Sequence, residues 1–111
     1  MLPKSKRLNL KKDFKWVASG KKINSKFTTI FVKYGENTFP KIGIAVSSKV
    51  FKKPTQRNRA RRLISALFEG LYGKLPTDIN IVALPKAGVL DVKSGDIILD
   101  LKQRLENERI I

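Results

Sequence analysis

The sequence predicts an α+β fold: a single small mixed β-sheet packed with about three helices. Three observations carry the prediction. Apolar residues recur at helical spacing in three segments, apolar and polar residues alternate or run together in three shorter ones, and the two kinds are interleaved along the chain. No internal repeat, low-complexity tract or Pro/Gly/Ser-rich linker divides the 111 residues, so one domain spanning residues 1–111 is expected.

Taken in order, residues 10–19 place Leu10, Phe14 and Val17 on one helical face, with Gly20 as the stop. Residues 26–34 alternate, with Thr28, Ile30, Val32 and Tyr34 on one side and Phe27, Thr29, Phe31 and Lys33 on the other, which reads as a strand. The turn residues Gly35, Glu36 and Asn37 follow. A second strand is expected over 41–50, with Ile42, Ile44 and Val46 inward and Gly43, Ala45 and Ser47 forming a small-residue face. These two strands are expected to pair as a hairpin, with room for one more short strand in 36–40. A long helix then runs from Pro54 or Thr55 to Leu71. Residues 78–84 form a third strand ended by Pro85. Ser94 is placed to cap a last helix whose Ile97, Ile98, Leu101 and Leu105 have core spacing.

Composition narrows function. With 41% hydrophobic residues the chain can bury a core, so wholesale disorder is not expected. It has no cysteine and no histidine. That removes disulfides, thiolate metal sites, the cysteine nucleophile and the commonest general base. No apolar run approaches the ~20 residues that span a bilayer. The basic N-terminus lacks the apolar stretch of a secretory signal and is expected to belong to the fold, with the cytoplasm as its simplest location. The net charge is +15, and residues 1–62 hold 18 basic and 2 acidic residues while residues 63–111 hold 6 and 7. Repulsion so concentrated points to a polyanionic partner.

The densest block opens the long helix. Ala60, Leu63, Ile64, Leu67, Phe68 and Leu71 share one stripe, whereas Asn58, Arg61, Arg62, Ser65 and Glu69 lie opposite, with Arg57 and Arg59 at the flanks of the first turn. All four basic residues nearest Leu63 are Arg, whose planar fork suits bidentate phosphate contacts and base stacking. Positive charge in the first turns also opposes the helix dipole, so an external partner is expected to compensate it. A merely solvated charged face is the weaker reading, because no acids are interleaved. Phe14, Trp16, Phe27 and Phe31 stand among Lys11, Lys12, Lys15, Lys26 and Lys33. That mixture suits either a stacking floor for single-stranded nucleic acid or an ordinary core. Asp96 and Asp100 are four residues apart, a spacing that fits helix-dipole partners better than a metal site lacking a third ligand. Neither GxxxxGK[ST] nor GxGxxG occurs.

Residues 7–27, RLNLKKDFKWVASGKKINSKF, and 47–68, SSKVFKKPTQRNRARRLISALF, resemble the protein family of bacterial ribonuclease P. The most specific part is Arg57-Asn58-Arg59 followed by Arg61-Arg62 in a helix, after a strand ending in Ser48-Lys49. The resemblance implies a ribosomal-protein-like α/β sandwich with a left-handed βαβ crossover. It also implies a non-catalytic subunit of an endoribonuclease that removes the 5′ leader of precursor tRNA, the chemistry being done by a catalytic P RNA. Mg2+ would be held mainly by that RNA and not by the protein alone. Partners would be P RNA and precursor tRNA, with no membrane and no obligate protein partner. By the same resemblance Lys49, Arg57, Asn58, Arg59, Arg61 and Arg62 would bind P RNA, and Phe14, Val17, Phe31 and Ser48 would line a cleft for the single-stranded leader. Lys52 and Lys53, in a loop more basic than the resemblance leads one to expect, would add phosphate contacts, and Trp16 would take up stacking in the cleft. Two departures stand out: Ala18 replaces a frequent second aromatic, and Ser65 replaces a frequent Arg. The alternatives are a general or ribosome-associated RNA-binding module, a self-sufficient metal nuclease and a major-groove DNA reader, in that order.

Overall fold

The structure, a computed structural model, describes residues 3–111. Met1 and Leu2, which begin the basic N-terminal stretch, lie outside the described residues. The main elements are α1 (Leu10–Ala18), β1 (Lys21–Asn24), β2 (Thr28–Tyr34), β3 (Lys41–Ile44), α2 (Pro54–Leu71), β4 (Ile79–Pro85) and α3 (Ser94–Asn107), with single turns of 3₁₀-helix at Lys4–Lys6, Tyr72–Lys74 and Ala87–Asp91. The sheet order is β1-β2-β4-β3, with β4 antiparallel to β2 and parallel to β3. The fold is thus α+β with a mixed sheet, as expected.

The expected hairpin between the strands at 26–34 and 41–50 does not form, because β4 stands between them. The cause is visible in β4: Ile79 to Ala83 are all buried, with Ile79, Ile81 and Ala83 on one face and Asn80 and Val82 on the other, so this strand is covered on both faces and must be central. The hairpin partner of β2 is instead β1, with Lys22 opposite Phe31 and Ile23 opposite Ile30. The additional strand therefore lies at 21–24 and not within 36–40. β1 carries one buried residue, Ile23, among exposed lysines, a composition suited to a sheet edge. β3 ends at Ile44, six residues earlier than expected.

Each sheet face has its own helix layer. Ile23, Ile30, Val32, Ile42, Ile79, Ile81 and Ala83 face α2 and α3, which contribute Ala60, Ile64, Leu67, Phe68, Leu71, Ile97, Leu101 and Leu105. On the other face the buried apolar cluster is Leu8, Val17 and Val82, with Leu10, Phe14, Phe31 and Leu84 half-buried around them under α1. Gly43 lets that layer approach, since a Cβ there would stand 2.6 Å from Leu10 Cδ2.

Three local expectations are corrected. Ser94 is the first helical residue of α3, with Lys93 at the cap position and no side-chain capping bond. Ser65, assigned to the outer stripe of α2, is buried where α2 meets the β3 edge. Tyr34, at the very end of β2, is exposed. Asp100 accepts a 2.9 Å hydrogen bond from Lys26 N–H, so it fastens the β1–β2 turn to α3.

Candidate nucleic-acid interface

The sparse packing beneath α1 leaves an open groove beside it. Strand register builds the groove: Lys22 sits opposite Phe31, and Thr29 opposite Leu84. With Lys49, Val50, Pro85, Lys86 and Ala87 these residues enclose a trough of about 570 Å³. Its floor is apolar, from Phe31, Leu84 and Pro85, and its rim carries three lysines. Lys86 is pinned there by donating from Nζ to the Ser25 carbonyl at 2.7 Å. Such a floor and rim can hold an unpaired strand, with bases on the apolar surface and phosphates at the amines.

The residues assigned to a leader cleft distribute unevenly. Phe31 lines the groove directly. Phe14 belongs to the same apolar patch, half-buried beneath α1. Val17 is fully enclosed, so it supports the floor and offers no surface. Ser48 is exposed in the loop beside the groove. Trp16 lies apart, on the opposite side of α1: the Lys33 amine is 5.3 Å from its ring centroid, and its edge covers Gly35. Phe27 packs into the opposite core with α2 and α3.

The segment from β3 to α2 connects the groove to the arginines. Ser47 folds it into a turn, accepting from Lys49 N–H at its hydroxyl (3.1 Å) and from Val50 and Phe51 N–H at its carbonyl (3.2 and 2.9 Å). The turn pushes Ser48, Lys49 and Val50 outward, while Phe51, 2% exposed, plugs the core. Lys52 and Lys53 are exposed, and Lys53 N–H donates to Gln56 Oε1 at 3.3 Å as α2 begins, with Pro54 in its first turn. Arg57 reaches back, its Nη1 donating to the carbonyls of Phe51 (2.8 Å) and Lys52 (3.2 Å). It therefore braces the loop as well as adding charge.

The remaining motif residues project from α2. Arg61 Nη1 donates to Asn58 Oδ1 at 3.1 Å, and Arg62 Nε to the Asn58 carbonyl at 3.4 Å. Asn58 thus orients two guanidinium groups. Arg59 and Arg62 flank a shallow cavity with Leu90 and Val92, while Arg61 faces Arg7 across a different one. None of the four arginines of α2 forms an ion pair with a described acid; Glu108 instead pairs with Lys21 and Arg104. Their charge is free for an external anion.

Lys22, Leu84, Pro85 and Lys86 were not legible as groove residues, because they meet only once β1 and the central place of β4 are known. The paired lysines at 21–22 beside a lone buried Ile23 were the available signal. Among the described residues no group of three or more His, Cys, Asp or Glu side chains is placed to hold a metal ion, and no helix is long and apolar enough to cross a membrane.

Comparison with known proteins bears on this arrangement. The family described as Ribonuclease P matches residues 2–108. The chain is 30% identical to the ribonuclease P protein component of Pseudanabaena sp. over 100% of its own length and 97% of the relative's. It is 29% identical to that of Clostridioides difficile over 96% and 95%. Among solved structures, a Staphylococcus aureus RNase P protein mutant superposes with a TM-score of 0.84 at 18% identity, covering 97% of this chain and 92% of that one. The RNase P protein from Thermotoga maritima gives 0.80 at 24% identity, covering 91% and 96%.

Proposed function

Because the chain belongs to the ribonuclease P protein family, as a protein component of that endoribonuclease, we propose that its two cationic surfaces divide the RNA between them: the arginine end of α2 holds P RNA, and the groove beside α1 holds the 5′ leader of precursor tRNA. The observation that carries this reading is the continuity of the two. Lys49 and Val50 line the groove, and the carbonyls of Phe51 and Lys52, next in sequence, are clasped by Arg57. A position taken by the RNA on α2 is thereby passed to the groove through a short braced loop.

In this reading the phosphates of P RNA meet Arg57, Arg59, Arg61 and Arg62, with Lys52 and Lys53 at the helix mouth. Each neutralised phosphate releases counterion and steepens the salt dependence of binding, at about −0.7 to −0.9 in log–log slope per contact. The leader lies along the trough with bases against Phe31 and phosphates toward Lys22, Lys49 and Lys86. Contact of this kind is sequence-tolerant, because every base offers a flat face. Among the described residues no three acids gather to hold a magnesium ion. Mg2+ belongs on RNA phosphates in this proposal, and the catalytic step belongs to the RNA.

The test is cleavage of a leader-bearing precursor tRNA by a bacterial P RNA at low magnesium, with and without the protein. Stimulation by the protein, with none from the protein alone, supports the reading. A folded protein that binds the P RNA without stimulating cleavage overturns it in favour of a general RNA-binding module.

A further inference from the structure

β3 is an edge strand, and its outer edge is only partly covered. Arg7 bridges Ile42, and Leu8 N–H donates to the Ile42 carbonyl at 3.1 Å. The chain then turns away into α1. On the inner edge Ala45 N–H donates to Ala83 O at 2.9 Å, so Ala45 and Gly43 direct their backbone groups toward β4. The two-residue period of a strand turns those of Ile42 and Ile44 outward. Ile42 is satisfied by Leu8. The N–H and C=O of Ile44 have no hydrogen-bond partner among the described residues.

These groups open into a pocket of about 190 Å³ lying between α1, β3 and α2. Its walls are the side chains of Leu8, Leu10 and Ile42 together with Gly43, buried Ser65 adds a hydroxyl-bearing residue from α2, and Arg7 and Arg61 complete the lining. No acid lines it. Gly43 keeps one wall flat, since Leu10 already occupies the place of a Cβ. The combination is specific in chemistry: a flat apolar slot, one adjacent donor–acceptor pair at its edge, and two guanidinium groups outside.

We propose that this pocket binds one unstacked nucleotide of the RNA partner, with the base between Leu10 and the β3 edge, its hydrogen-bonding edge on Ile44 N–H and C=O, and its phosphate between Arg7 and Arg61. The inference rests on the RNA-binding reading above and adds a base-holding site separate from the leader groove. A free anion would make no use of the apolar walls. An added peptide strand would need several consecutive edge groups, yet Arg7 and Leu8 already occupy the edge as far as Ile42. A flipped nucleotide uses the apolar walls, the edge donor–acceptor pair and the guanidinium groups together, and unpaired RNA bases are read in this way.

The test is a ¹H–¹⁵N and methyl NMR titration of the full chain with AMP and CMP, against inorganic phosphate at the same concentration. Saturable shifts at the Ile44 amide and Leu10 methyls with a nucleotide, absent with phosphate, are expected. Arg7→Ala, at an exposed position, should weaken that binding about ten-fold, as for one charge-assisted contact. Ile44→Pro removes the outward N–H together with a half-buried side chain that packs on the core, and should abolish the response at the Leu10 methyls in a chain whose spectrum shows the fold retained. Equal shifts with inorganic phosphate, or no shift at Ile44 and Leu10, overturn the proposal. So does displacement of AMP by a short uncharged strand-forming peptide. None of these readouts uses P RNA or the groove, so cleavage stimulation together with a failed titration removes this site alone.

Discussion

The two faces of the sheet are built to opposite standards. Against α2 and α3 the core is continuous, and Ile30, Ile64, Phe68, Ile79, Ile81 and Leu105 are fully enclosed. Against α1, Val17 and Val82 are enclosed and Leu8 nearly so, with half-exposed apolar side chains around them. The filled face holds the fold, and the sparse face keeps apolar surface available beside lysines. Stability and recognition are thus separated by one layer of backbone.

Breaking the filled face should have the largest effect. Phe68→Ala, at a residue 0% exposed, should cost about 3–5 kcal/mol in denaturant unfolding, because the cavity adds to the lost transfer energy. Phe31→Ala should cost far less, and a similar loss at both positions would refute the division. Next comes the joint between the faces. Gly20 follows α1, and a Cβ there would collide with the Val32 carbonyl oxygen and press on Lys33 Cβ at 3.0 Å. Gly20→Ala should therefore destabilise by about 1–3 kcal/mol, as overpacking does, and shift α1 against β2.

How much of this was legible in the sequence follows the same division. The apolar stripe of α2 was readable because helical spacing largely decides it, with Leu63 half-buried at its margin, and its bounds at Pro54 and Leu71 agree with the expectation. Strand pairing was not, because an alternating pattern says which face is buried and not which neighbour is beside it. The run from Ile79 to Leu84, apolar at every position but Asn80, could have signalled a central strand, since a strand largely apolar on both faces is covered on both. Phe51 and Ser65 show a second limit. A loop aromatic that plugs a core and a serine buried at a helix–edge junction both depend on contacts distant in sequence.

The arginines and the groove sharpen the comparison by their readouts. Arg57→Ala should reduce P RNA affinity more than Arg62→Ala, although each removes one charge. Arg57 also braces the Phe51 and Lys52 carbonyls, whereas Arg62 bonds only within its own helix. Both should flatten the salt dependence by about 0.7–0.9 per lost contact, and identical losses would argue against the brace. Phe31→Ala should leave P RNA affinity intact and weaken long-leader substrates selectively, by about 1–3 kcal/mol if one base stacks there.

The smallest expected effect tests the one side-chain ion pair joining the groove-bearing hairpin to the filled face among the described residues. Lys21 of β1 pairs with Glu108 just beyond α3, which also lies 3.7 Å from Arg104. The Lys21 hydrogen bond is the main cause holding the Glu108 carboxyl below its ordinary value, with both cations adding attraction and partial desolvation opposing it. A folded value below the unfolded one means the carboxylate's contribution is full above the ordinary glutamate range and fades as pH falls through the depressed folded value. Glu108→Gln leaves Lys21 in place, so it should lower stability slightly at neutral pH. The difference from the native chain should disappear on acidification and shrink in high salt, as for any surface pair. Leader affinity should not change, because β1 is also held by its ladder to β2 and by Asp100 at the turn. A loss of leader binding in this variant would mean that Lys22 depends on the salt bridge for its place at the rim, and that the two faces are coupled and not merely adjacent.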